Sequence, residues 1–271
     1  MPNYLSASQH KMFFGCGQQY FYRYIEGLII PPSVAALSGT SVHAAAEHNF
    51  SQKIESGVDE PLSVLKDVAA ETYEKKSEDG FFVAEEDKPA ASKLYNDGKD
   101  EAVKLVEPLR NDIAPRIQPK FVEQKFEIQI DDLPPILGYV DLYGTNVETG
   151  QPILADIKTS KTKWSQAKAD AEIQPTLYQA MTKAHGWETP DDFTFEVLVK
   201  TKEPRHETVT TRRTPDDFWA LIKRFRTMDE QIKQGNFLPA EPGHWRCSPK
   251  WCGYWWKCPY IPEHKKRLSG K

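Results

Sequence analysis

Two short stretches decide how this chain reads: Gly138-Tyr139-Val140-Asp141-Leu142 and Leu154-Ala155-Asp156-Ile157-Lys158, with fourteen residues between Asp141 and Asp156. In the second, strand alternation puts Ile153, Ala155 and Ile157 on one face and Asp156 and Lys158 on the other. The first face packs, while the second offers a carboxylate and an ammonium about 7 Å apart. The turn signal Val147-Glu148-Thr149-Gly150 centres a hairpin between Glu148 and Thr149. That register sets Asp141 directly opposite Asp156, with Cβ atoms about 5 Å apart. Facing carboxylates repel, and a divalent cation between them reverses the sign; hard oxygen ligands at that separation suit Mg²⁺ or Mn²⁺. Lys158 then stands where it can hold or deprotonate a water beside the metal, or stabilise charge on a phosphate. A lone D-x-K is more often a solvated strand face. The spacing G-x-x-D, fourteen residues, D-x-K on a hairpin is a much stronger signal.

Working outward, the residues before Pro119 carry helical periodicity. Ser6 or Ser8 caps a first helix running toward Tyr24, and a Pro31-Pro32 break follows. Further helices are expected from about Ser38 to Phe50, Leu62 to Lys76 and Pro89 to Asn111. From Phe121 the pattern turns to strands: Phe121 to Ile130, Ile136 to Asn146 and Gln151 to Ser160, separated by turn residues. A helix between about Ala169 and His185, strands Phe193 to Lys200 and His206 to Thr211, and a helix from Thr214 to Gly235 complete the expected elements. The fold class is α/β, and one domain over residues 1–271 is the simplest account. Within it lie a mainly helical portion (1–115), a core (119–235), a Cys-rich segment (236–262) and a basic tail (263–271).

Composition narrows the functional classes. Net charge is −4, so any polyanion contact must come from a local patch. Between Glu55 and Glu101 there are fourteen Asp/Glu against six Lys, whereas from His244 to Lys271 seven Lys/Arg face Glu263 alone. Such asymmetry fits a molecule presenting one face to a polyanion, although two solvated charge clusters would look the same. No apolar run approaches the length of a transmembrane helix, and MPNYLSASQHK lacks the apolar core of a secretion signal, so no membrane role and a cytoplasmic location are expected. The phosphate-loop pattern G-x-x-x-x-G-K-[ST] is absent, so no ATP use is implied.

Gly138-Tyr139-Val140-Asp141 followed by Asp156-Ile157-Lys158 resembles the core of the PD-(D/E)XK nuclease superfamily. It is more specifically similar to the RecB-like branch that includes the CRISPR-adaptation iron–sulfur exonucleases. That branch places a His in a G-x-x-x-H pattern on an upstream helix, matched by Gly39-Thr40-Ser41-Val42-His43. It also places Q-x-x-x-Y on the helix after the catalytic strand, matched by Gln174 and Tyr178. The resemblance implies a mixed central sheet flanked by helices. It implies Asp141, Asp156, His43 and the backbone carbonyl of Ile157 as metal ligands, Lys158 as the catalytic lysine, and Gln174 and Tyr178 orienting Lys158 or the DNA backbone. Glu123 sits near the position of a further family carboxylate. A simple hairpin over Asp131 to Pro135 makes it a diagonal neighbour of Asp141, an outer or second-metal group. Pro175 directly after Gln174 is compatible with a helix only in its first turn.

The four cysteines are Cys16, Cys247, Cys252 and Cys258. Without a secretion signal two disulfides are a poor reading; four thiolates are the right number for a [4Fe–4S] cluster or a structural Zn²⁺. The one-plus-three layout is similar to the iron–sulfur RecB-like nucleases, which favours the cluster over zinc. Trp245, Trp251, Tyr254, Trp255, Trp256 and Tyr260 would shield it. Tying the N-terminal helix to the tail removes about 5 kcal/mol of unfolded-chain entropy in the simple chain model. The expectation is a metal-dependent DNA exonuclease acting on single-stranded or duplex ends, with Lys161, Lys163, Arg212, Arg213 and the tail cations touching DNA. A recombination or CRISPR-adaptation protein could be its partner. The rival is a non-catalytic DNA-binding or adaptor module of the same fold.

Overall fold

The computed structural model describes residues 3–241 and 243–261. The basic segment 263–271 lies outside them. The helical N-terminal portion comprises α1 (Ala7–Gly15), α2 (Gly17–Tyr20), α3 (Val34–Ser56), α4 (Leu62–Ser77) and α5 (Ala91–Pro108). Ser6 caps α1 by accepting from Gln9 N–H, as its sequence position suggests. The first helix does not run unbroken to Tyr24, because Cys16 adopts an extended conformation between α1 and α2. The helix of the His43 motif starts earlier than its apolar pattern suggests, at a Ser33 cap, and ends on Gly57 in the left-handed region.

Six strands form one mixed sheet: β1 (Leu5–Ser6), β2 (Ile117–Ile128), β3 (Ile136–Asn146), β4 (Pro152–Ser160), β5 (Asp192–Val199) and β6 (Arg205–Arg212). Between β4 and β5 the expected single helix is two, α6 (Gln166–Asp170) and α7 (Gln174–Ala184). Arg213 donates to the carbonyls of Ala169, Asp170 and Glu172 at the break, satisfying groups a continuous helix would have satisfied itself. The last helix, α8 (Pro215–Lys233), begins with a full capping box between Thr214 and Asp217.

Both sheet faces are covered, which is why β4 is apolar on both sides of Asp156. Leu154 joins Val140, Tyr143, Leu177, Met181 and Phe225 in a core under α1, α7 and α8. Ala155 and Ile157 join Val42, Phe50, Leu65 and Leu105 in a second core under α3, α4 and α5.

The sheet is forked at β3. One edge of β3 pairs with β2 along its length, with a register shift between Pro119 and Phe121 and a gap at Asp141. On the other edge, β1 takes Ile136 and Leu137, and β4 takes only Leu142 to Thr145. Residues 138–141 therefore face the mouth of a fork between β1 and β4. Two glycines allow the close packing around it. A Cβ on Gly144 would lie 2.3 Å from the Gln118 carbonyl oxygen, and one on Gly138 would lie 2.7 Å from Met181 Sδ and 3.2 Å from Tyr178 Cε1.

Candidate active site

The β3–β4 register is the one read from the turn: Leu142 pairs with Ala155 and Tyr143 with Leu154. The backbone ladder stops one step short of the two acids, because β4 leaves β3 there and continues parallel to β5. Instead, the Ile157 N–H donates to Asp141 Oδ2 at 3.3 Å, so the Asp141 side chain bridges the fork. Asp156 is fully buried and Asp141 is 8% exposed.

Asp156 and Lys158 share a face of β4, with Oδ2 and Nζ 2.5 Å apart. Gln174, in the first turn of α7 as its following proline requires, donates to Asp156 Oδ1 at 3.3 Å and to the Tyr178 hydroxyl at 3.1 Å. Its partners are thus Asp156 and Tyr178, not Lys158. Asp156 Oδ2 is buried and is held by the Lys158 ammonium.

His43 projects from α3 into the same place. Its Nδ1 lies 3.4 Å from Glu123 Oε1 and 3.5 Å from Asp141 Oδ2. His43, Glu123 and Asp141 each offer one ligand atom within 4.8 Å of the others. Asp156 lies beside this trio, its carboxylate turned toward Lys158 and Gln174. The sequence undervalued Glu123. Val122 pairs with Leu142 and Gln124 with Val140, so Glu123 falls opposite Asp141 and not diagonal to it. It does so with φ +45°, in the left-handed region where a non-glycine residue is unusual.

The electrostatics are those of an overcrowded acid cluster. Burial, then the neighbouring charge of Asp156, pushes Asp141 well above the usual carboxylate range. Burial opposes the His43 imidazolium, but the Glu123 hydrogen bond and the charges of Asp141 and Asp156 outweigh it, raising the pKa to about 9. Burial likewise opposes the Lys158 ammonium, and Asp156 and Asp141 again win. A hard divalent cation suits this set: His43, Glu123 and Asp141 converge with Asp156 beside them, and the crowding of buried acids holds Asp141 well above the usual carboxylate range.

The cations expected to touch DNA are mostly engaged elsewhere. Lys163 pairs with Glu207 at 2.7 Å, Arg212 with Asp192 at 2.6 Å, and Arg213 binds the α6–α7 carbonyls; Lys161 is exposed.

The four cysteines line one cavity of about 310 Å³ between α2 and the C-terminal segment. The Gly17 N–H donates to the Leu238 carbonyl at 2.7 Å and Gln18 Nε2 to the Phe237 carbonyl at 2.6 Å, which holds the two chain ends together. Among the described residues, no three of the sulfurs lie within 4.8 Å of one another, so they face a shared space without forming a tight cage. Burial raises the Cys252 and Cys258 thiol pKa values. The aromatic shield is smaller than expected. Tyr254, Trp255 and Tyr260 line the cavity, whereas Trp245, Trp251 and Trp256 are more than half exposed among the described residues.

Among the described residues no helix is long and apolar enough to cross a membrane. No curated protein matches the chain. Among solved structures it is similar to one titled "Putative exonuclease" from Eubacterium rectale, at 14% identity and TM-score 0.53, covering 97% of this chain and 87% of that one. It is also similar to SSO0001 at 17% identity and TM-score 0.38, covering 79% of this chain and 95% of that one, a likeness too slight to carry an argument. The first shows a shared fold. The model of the PD-(D/E)XK nuclease superfamily matches residues 4–259, over the same fork, acids and lysine described above, and the chain belongs to that superfamily.

Proposed function

We propose that this protein is a Mg²⁺- or Mn²⁺-dependent deoxyribonuclease of the RecB-like branch, working from DNA ends as an exonuclease, with the whole chain as one nuclease domain. The observation that carries this reading is the buried Asp141–Asp156–Lys158 arrangement at the fork, two acids and an ammonium brought together with His43 and Glu123 beside them. Asp141, Asp156, His43 and the Ile157 carbonyl would hold the metal, with Glu123 beside them. A bound divalent ion supplies Lewis-acid neutralisation of a phosphate and a water of lowered pKa. Asp141 and Asp156 provide the charge that retains such an ion. Gln174 fixes the Asp156 carboxylate and is itself fixed by Tyr178. Lys158 presents a cation beside the reacting phosphate, where charge develops.

Digestion of end-labelled single- and double-stranded DNA with Mg²⁺ or Mn²⁺, and with an EDTA control, tests the reading. Metal-dependent shortening from labelled ends is the expected result. Absence of cleavage with either metal, alongside intact DNA binding, would leave the adaptor reading instead.

We further propose that the cysteine cavity holds a [4Fe–4S] cluster. The support is four cysteines lining one cavity, Cys16 beside α2 and the other three from the C-terminal segment that the Gly17 and Gln18 hydrogen bonds hold against it. Anaerobically purified protein should absorb broadly near the visible–ultraviolet boundary and contain iron and acid-labile sulfide. Stoichiometric zinc with neither would replace the cluster by a zinc staple.

A further inference from the structure

The fork does more than hold acids. Beside Asp141 it opens into a cavity of about 440 Å³ floored by Leu137 and Gly138. Its rim carries Tyr4, Tyr139 and Lys125, and its inner wall is Gln174 and Tyr178 of α7. Tyr139 pairs with Lys125 across β3 and β2, two residues from the positions of Asp141 and Glu123. Alternation puts this Tyr–Lys pair on the face of the acid pair, about 7 Å further along the strands. Tyr139 is 54% exposed and Tyr4 40% exposed, an unusual outlay of aromatic surface next to a buried charge cluster. Lys125 is exposed and, among the described residues, has no carboxylate within ion-pair distance, unlike Lys11 across the cavity, which is bound to Glu172 at 2.5 Å.

We propose that this cavity is a subsite for one nucleotide of a single strand, with the Tyr139 ring stacking on the base and Lys125 contacting the adjoining phosphate. The inference rests on the nuclease reading and adds a substrate class to it. A cavity of this size, walled by α1 and α7, admits one unpaired nucleotide and not a duplex. An aromatic face binds any base, so the subsite confers strandedness without sequence preference. A single cation on its rim fits one backbone phosphate. The distance from Tyr139 to Asp141 along the strand is about the reach of one nucleotide, so a base seated here sets the next phosphate over the acids.

The test is equilibrium binding in EDTA, where no turnover occurs. The probes are a short single-stranded oligonucleotide with a fluorescent adenine analogue at its end and the corresponding blunt duplex. Wild-type protein should bind the single strand more tightly and quench the analogue. Tyr139→Ala should weaken single-strand binding about tenfold and abolish the quench, while Tyr139→Phe, which keeps the ring, should retain both. Lys125→Gln should reduce the salt dependence of binding by about one ion. Equal affinity for the blunt duplex, or an unchanged quench in Tyr139→Ala, overturns the subsite. Wild-type protein that cleaves DNA while Tyr139→Ala cleaves single strands equally well sinks the subsite and leaves the nuclease reading standing. Wild-type protein that binds neither probe and cleaves nothing sinks both.

Discussion

Asp156 on β4 and Glu196 on β5 are both fully buried acids on adjacent central strands, yet their surroundings are opposite. Glu196 is saturated: Arg116 holds one oxygen, and His206 at 2.5 Å and Thr208 at 2.9 Å hold the other. Asp156 has one donor for each oxygen, Lys158 and a Gln174 amide, and faces a second buried acid, Asp141. A buried carboxylate kept for structure is surrounded by donors alone; one kept for chemistry shares its site with a second acid. Exchanging the charge at each site should therefore give opposite results. Asp156→Asn should lower nuclease turnover by roughly 10³-fold, while relief of the repulsion felt by Asp141 offsets the loss of the Lys158 ion pair, so that the melting temperature changes little. Near-wild-type Mn²⁺-dependent cleavage by that variant would falsify the role given to Asp156. Glu196→Gln should do the reverse. It strips the charge that Arg116 and His206 are gathered around, costing about 3 kcal/mol in denaturant unfolding, with activity per folded molecule retained. Loss of activity without loss of stability in Glu196→Gln would erase the distinction between the two acids.

His10 marks a third solution. Neither ring nitrogen has a hydrogen bond, and the ring packs against Phe14 and Phe225 at centroid distances of 4.6 and 5.4 Å. The site is tolerable because the ring is neutral: burial, with Arg224 and Lys11 nearby, lowers its pKa to about 4. The unfolded chain, with a His pKa near 6.5, binds the proton more readily than the fold. Stability is therefore intact above pH about 6.5 and falls as the pH drops toward about 4, by about 3 kcal/mol in all. His10→Phe, which keeps the ring contacts, should flatten that part of the stability–pH curve relative to wild type. Parallel curves for the two proteins would show that His10 does not titrate in this way.

How much of this could be read from the sequence depended on how local each feature is. The β3–β4 register followed from one turn, and with it the approach of Asp141 to Asp156 and the Asp156–Lys158 face. The fork did not, because it requires knowing that β4 leaves β3 for β5 after Ala155. Glu123 was misplaced for a related reason. The β2–β3 hairpin closes around Asp132, one residue earlier than a turn over Asp131 to Pro135 implies, and a one-residue shift of the centre moves every partner by two. The pairing of the surface cations was not legible, because the partners of Arg212 and Arg213, Asp192 and the α6–α7 carbonyls, come from distant segments. The four cysteines line one cavity but, among the described residues, do not form the tight group their layout suggests, because the spacing between sulfurs is a tertiary property that no motif encodes.

Glu123 gives the smallest effect and the finest test of the contrast between acids kept for structure and acids kept for chemistry. A glutamate at φ +45° stores about 1 kcal/mol or more of backbone strain, and the ladder has a gap there with Val122 and Gln124 paired on either side. Strain of this kind persists only where the surrounding structure enforces it, and here the twist aims a carboxylate at His43, 3.4 Å away. Glycine adopts this conformation freely. Glu123→Gly should release the strain and a crowded negative charge together, leaving stability unchanged or raised by up to about 1 kcal/mol, while turnover falls about tenfold. Glu123→Asn, which tolerates the left-handed region but shortens the side chain, should behave alike in stability and fall between the two in turnover. A clear loss of stability in both variants, with activity per folded molecule intact, would mean that the kink in β2 serves the sheet and not the acids it faces.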